Sequence, residues 1–199
     1  MNALLALSRG IDWLNERVGR LALWLILASA IISALNAVVR KAFDYSSNAF
    51  LEIQWYLFAA VFLLAAGYTF LHNEHVRIDV ISSKLSPRGR NWIDIFGIVF
   101  FLFPFVVETV RLSLPTVINA IASGEMSSNA GGLIRWPVYI LVPIGFSLLG
   151  LQGISELIKR VAFLRGLIDD PLVKKTEKTA EEELAEFMLA QKQKQKEAK

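Results

Sequence analysis

Residues 21–39 read LALWLILASAIISALNAVV, nineteen positions without a charge, held between Arg20 and Arg40. A helix needs roughly 20 predominantly apolar residues to cross about 30 Å of hydrocarbon, so this run points to lipid as the solvent in which the chain folds. A secretory signal has a shorter apolar part and ends at a small-residue cleavage site. Here the run follows an amphipathic leader and continues into Asn36 and Arg40, so it is expected to be retained. Of the 199 residues, 54% are hydrophobic and only 20% charged, too apolar a balance for an ordinary soluble domain.

Three further runs have the length and polarity of spans. The second is expected at 48–71, with Asn48 as N-cap and Glu52 in the first turn, at the positive end of the helix dipole. Trp55, Tyr56 and Tyr68 lie toward its ends, where amphipathic rings favour the headgroup boundary. The third, 87–118, is harder: its uncharged stretch Ile95 to Val107 is too short to cross, so the helix must also carry Asp94, Glu108 and Arg111. Ser86-Pro87 supplies a cap and a first-turn proline, and Pro104 removes one backbone hydrogen bond midway. Glu108 and Arg111 are three apart on one face and can neutralise each other. A fourth span is expected at 136–157, with Pro137 in its first turn, Pro143 further in and Lys159-Arg160 closing it.

Orientation follows from the basic flanks. Arg9, Arg17, Arg20, Arg77, Lys84, Arg88, Arg90, Lys159, Arg160 and Arg165 fall on one side, and Arg40, Lys41, Arg111 and Arg135 on the other. The richer side is expected in the cytoplasm, and with an even number of spans both termini lie there. The net charge of +3 is spread over these flanks and the tail, with no basic face to follow a phosphate backbone, so no nucleic acid partner is expected. The expected fold is therefore all-α: residues 1–20 as an amphipathic helix, 21–160 as a four-helix membrane domain, and 161–199 as a charged cytoplasmic tail. In the leader, Leu4, Leu7, Ile11, Leu14, Val18 and Leu21 form one apolar stripe while Arg9, Asp12, Asn15, Glu16 and Arg17 face elsewhere. Such a helix lies in the membrane surface or against a partner helix.

Chemistry is sparse. The absence of cysteine removes disulfides, thiolate metal sites and cysteine nucleophiles, and leaves the redox compartment open. Only His72 and His75 offer imidazole. They sit together at the end of span two, whereas a bundle haem needs histidines on facing helices, and no metal ligand set accompanies them. No phosphate-binding glycine loop, acid–base carboxylate pair or nucleophile–base set is present. Broken helices, repeated halves and several midplane charges, the marks of a transport pathway, are also missing. The connection Ser123 to Gly132, rich in Ser and Gly, reads as a flexible loop. An accessory membrane subunit, with no enzymatic activity, is the reading these features support.

The run Glu52-Ile53-Gln54-Trp55-Tyr56-Leu57-Phe58, continuing through Gly67-Tyr68-Thr69 to Asn73-Glu74-His75-Val76-Arg77-Ile78-Asp79-Val80, resembles the small permease subunit of tripartite ATP-independent periplasmic (TRAP) transporters. Gly124-Glu125-Met126-Ser127, Trp136-Pro137, Pro143-Ile144-Gly145 and Leu151-Gln152-Gly153 with Glu156 and Lys159 agree with it. The resemblance covers roughly Leu21 to Arg160. It implies a bacterial inner-membrane importer of three parts. A periplasmic binding protein captures an organic acid or similar solute, a large elevator-type subunit carries it with a sodium gradient, and the small subunit widens the scaffold. Substrate and sodium sites are then expected in the large subunit, with no catalytic, substrate-binding or metal residue and no cofactor in this chain. The tail after span four suggests a separate rather than a fused small subunit.

Within that picture, Arg40, Lys41, Asn48, Glu125 and Arg135 are candidates for docking the periplasmic protein. Glu52, Trp55, Tyr56, Gly145, Gly150 and Gly153 are candidates for packing on the large subunit. His75, Arg77 and Asp79 are read as an architectural loop fixing spans two and three. The alternative is a haem-holding or other membrane anchor of a redox complex.

Overall fold

The computed structural model describes residues 1–45, 47–73 and 85–171. His75, Arg77 and Asp79 lie outside the described residues, as does most of the tail. Among the described residues the chain is helical: α1 (Asn2–Phe43), α2 (Asn48–Leu64), α3 (Ala66–Leu71), α4 (Pro87–Gly97), a π-helical segment (Ile98–Leu102), α5 (Phe103–Ser123), α6 (Trp136–Tyr139) and α7 (Leu141–Leu164). Taken together these make four segments long and apolar enough to cross a membrane: Asn2–Phe43, Asn48–Leu71, Pro87–Ser123 and Trp136–Leu164.

Local chemistry sets the boundaries. α1 ends where Asp44 takes a left-handed conformation (φ 49°). The α2 cap is Ser47 rather than Asn48; Asn48 is the first helical residue, and its side chain donates instead to the Ala130 carbonyl at 2.9 Å. Ser86 caps α4 as its sequence suggests, its hydroxyl accepting from the Gly89 N–H at 3.2 Å with Pro87 at the first position. Pro104 has no N–H to give, and the five residues before Phe103 widen into a π turn in which the Phe103 N–H reaches the Ile98 carbonyl. Pro143 likewise cannot donate to Tyr139, and the helix breaks at Ile140, leaving Pro143 in the first turn of α7 where its N–H is not required.

Cross-bundle contacts fix an up-down-up-down arrangement. Asn48 and Glu52 at the start of α2 meet the connector that follows α5, placing those termini at one end. At the other end Glu16 meets His72, Asn91 meets Asp170, and Asp12 meets Lys159. α7 is the central element and packs on α1, α2, α3, α4 and α5.

Burial is inverted relative to a water-soluble bundle. The largest fully buried side chains are Arg160, Gln152, Glu52, Glu156, Asn15 and Asn91, while Trp24, Phe58, Phe62, Phe100, Phe101 and Leu112 point outward. Exposed apolar rings on this scale are disfavoured in water and natural in hydrocarbon, where interhelical contacts rely on close packing and polar contacts instead.

The leader departs from expectation. It forms no separate helix; α1 runs unbroken through residue 20. Its inward face is largely polar, with Ser8 and Asn15 buried beside Ile11, and Leu4, Leu7, Leu14 and Leu21 are exposed. Four of the six residues of the expected apolar stripe thus face outward, Ile11 being buried and Val18 half-buried, because the polar residues find hydrogen-bond partners on α7 that they would lack in lipid.

Candidate functional site

Polar chemistry concentrates at the two ends of the bundle. At the end holding the α5–α6 connector, Glu52 is the organising group. Its side chain projects from the second turn of α2, is 1% exposed, and accepts three hydrogen bonds from the connector. These come from the Ser127 hydroxyl, the Asn129 amide at 2.8 Å and the Leu133 N–H at 2.6 Å. Gly132 packs so closely here that a Cβ would stand 2.9 Å from a Glu52 oxygen.

The connector is also tied to itself. Met126 and Ile134 pair as an antiparallel bridge, flanked by Arg135 N–H to Glu125 carbonyl and Ser127 N–H to Leu133 carbonyl, both at 2.9 Å. Tyr56 donates to the Ile134 carbonyl at 3.2 Å, and Tyr139 donates to Glu125 at 3.2 Å while accepting from Arg135 at 3.3 Å. The Tyr139 contact, helped by the Glu125 charge, holds the Arg135 guanidinium protonated beyond its usual strength. A segment whose Ser and Gly content suggests flexibility is thus a hydrogen-bonded platform.

At the opposite end, α1 and α7 face each other through a continuous ionic and amide layer. Ser8 and Ser155 hydroxyls are 2.7 Å apart, and Asn15 donates to Gln152 at 2.9 Å. Asp12 accepts from Gln152 at 2.9 Å, from Ser155 at 2.6 Å and from Lys159 at 3.3 Å. Glu156 bridges Lys159 and Arg160, and Arg160, with no exposed surface, also reaches Asp94 on α4 at 3.1 Å. Lys159 and Arg160 therefore do not merely close span four: α7 continues to Leu164, and both cations are used inside the bundle.

The residues expected to meet partners divide accordingly. Arg40, Lys41 and Asn48 are exposed at the connector end, together with Glu125 on the platform, where Arg135 is half-buried. Trp55 is half-exposed and available to a partner. Glu52 and Tyr56 bind the chain's own connector, Glu52 buried and Tyr56 half-buried. The three glycines of α7 also meet neighbours within the chain. A Cβ at Gly145 would lie 2.6 Å from the Leu63 carbonyl oxygen, one at Gly150 would lie 3.0 Å from Val106, and one at Gly153 would lie 2.9 Å from Leu102. All three let α7 approach helices of this chain.

Glu108 and Arg111 do pair, at 3.3 Å, on the exposed face of α5. His72 is 2.8 Å from Glu16 on α1. The ionic layer itself escaped sequence reasoning, although a signal for it exists: Gln152, Ser155, Glu156 and Lys159 form one polar stripe at helical spacing, and Ser8, Asp12 and Asn15 form its counterpart.

The comparisons with known proteins agree with this architecture. Residues 29–163 match the family described as tripartite ATP-independent periplasmic transporters, DctQ component. A Haemophilus influenzae protein named as a TRAP transporter small permease is 31% identical over 78 residues, a match covering 39% of this chain and 48% of the relative. The aligned region thus spans about half the length of that relative. No solved structure matches the chain. A family match over most of the four spans, on an all-helical bundle with four helices long and apolar enough to cross a membrane, decides the assignment: the chain belongs to the DctQ-component family of TRAP transporters.

Proposed function

We propose that this small permease subunit braces a large elevator-type membrane subunit and presents the α5–α6 connector to a periplasmic substrate-binding protein during sodium-driven uptake of an organic acid or similar solute. Both termini are then cytoplasmic in the bacterial inner membrane. Sodium and substrate are held by the large subunit. The observation that carries the docking role is the Glu52 anchor: a buried carboxylate binds a surface connector at three points and holds it in one shape at the end of the bundle with fewer basic residues. A preformed surface loses less ordering entropy when a partner docks. The bracing role is supported by the broad outward apolar surface and by the concentration of polar groups in the chain's own interior.

Uptake by the reconstituted three-part transporter, titrated with binding protein, tests the reading. Glu52→Ala is expected to leave assembly of the two membrane subunits intact and raise the binding-protein concentration for half-maximal uptake by about tenfold, the equivalent of about 1.4 kcal/mol. Identical titration curves for wild type and variant would refute docking through this platform.

A further inference from the structure

α5 carries an ion pair at a depth where lipid has no water to offer it. Glu108 and Arg111 meet at 3.3 Å on the outside of the bundle, with 56% and 75% of their side-chain surfaces uncovered. Uncharged residues flank them on both sides, Ile95 to Val107 before and Leu112 to Ser123 after. All belong to one helical segment, Pro87–Ser123. At about 1.5 Å of rise per residue, Arg111 stands about 18 Å from the platform end at Ser123, and Glu108 about 21 Å from Asp94 in the opposite ionic layer. Each distance exceeds half of a hydrocarbon core roughly 30 Å thick, so the pair falls near its middle. A charge at that depth is costly against lipid and as a rule faces protein or a water-filled cavity.

A further polar group joins the pair. Pro115 lies inside α5 and has no N–H, so the Arg111 carbonyl lacks the helical donor that another residue there would supply. In hydrocarbon such a freed carbonyl is satisfied by a neighbouring helix or a polar side chain. Beside it a groove of about 670 Å³ runs between α5 and α7, walled by Val106, Val110, Arg111, Leu114, Ser147 and Leu151. The wall is apolar except at Arg111 and Ser147, and Ser147 is exposed.

We propose that this groove seats one transmembrane helix of the large membrane subunit, which brings hydroxyl or amide side chains to the open edges of Glu108 and Arg111. Such a seat presupposes the proposed bracing role and locates it on α5 and α7. Acyl chains can fill the groove but offer nothing to the ion pair, whereas a helix with polar side chains among apolar ones meets both. Residues 21–39 of α1, by contrast, expose Trp24 and carry no charge, a surface that lipid alone can cover.

The test uses the small subunit co-expressed with the large one and recovered by a tag on the small chain. With benzoylphenylalanine in place of Leu114, illumination is expected to give an adduct with the combined mass of the two subunits. The same group in place of Trp24 is expected to give none. Glu108→Leu combined with Arg111→Leu is expected to keep the thermal midpoint of the isolated small subunit and to lose most of the large subunit on purification. The Leu114 adduct is read in an otherwise unaltered chain, so it does not depend on the folding of that double variant. A wild type that retains no large subunit removes the bracing role and this seat with it. A wild type that retains it, but gives from Leu114 no adduct or only an adduct to a second small subunit, overturns the seat alone. Undiminished retention by the double variant overturns it too, by showing that the ion pair meets nothing in the partner.

Discussion

Arg160 shows how a charge is accommodated in this bundle. Its guanidinium has no exposed surface and meets Glu156 on its own helix and Asp94 on α4, while Lys159 links Glu156 to Asp12 on α1. Replacing it with methionine keeps much of the side-chain length but removes the cation between two carboxylates. Loss of one partner of a buried ion pair is strongly destabilising because the remaining charge is left uncompensated. Arg160→Met is therefore expected to cost about 3 kcal/mol of stability, seen as a lower thermal midpoint of the purified chain. Adding Glu156→Gln and Asp94→Asn to that variant is expected to recover most of the loss. An Arg160→Met midpoint equal to wild type would show that the layer contributes nothing to stability.

Between elements, the decisive contact is α7 against α2, where Gly145 faces the Leu63 backbone. Gly145→Leu is expected to destabilise the isolated chain by about 1–3 kcal/mol through overpacking, measured by thermal unfolding in one detergent. Unchanged stability combined with loss of a co-purifying membrane subunit would return Gly145 to an interface between subunits. The spans were legible in sequence because an uncharged run such as 21–39 has few structural solutions other than a membrane helix. The direction in which the leader faces was not. Its apolar stripe of Leu4, Leu7 and Leu14 follows the soluble-protein pattern, but Ser8, Asp12 and Asn15 have partners on α7 some 140 positions away, as the separations of 147 for Ser8–Ser155 and 137 for Asn15–Gln152 show. The platform was hidden for the same reason: Ser127 reads as loop until Glu52, 75 positions earlier, is placed beneath it. Local composition carries no information about such distant acceptors.

At the scale of the molecule, four spans separate two polar layers, the Glu52 platform at one end and the Asp12–Lys159–Arg160 layer at the other. In the proposed orientation, which rests on the positive-inside count, the platform lies outside the cytoplasm, and both bracing and docking depend on that placement. The sequence has no cysteine, so a single introduced thiol reports without background. Ser128 on the platform and Arg165 just beyond α7 are both exposed. Ser128→Cys and Arg165→Cys variants in intact cells, treated with a membrane-impermeant maleimide, test the arrangement most directly. Ser128→Cys is expected to react at once and Arg165→Cys only after the inner membrane is permeabilised, whereas labelling of both from the same side would contradict it.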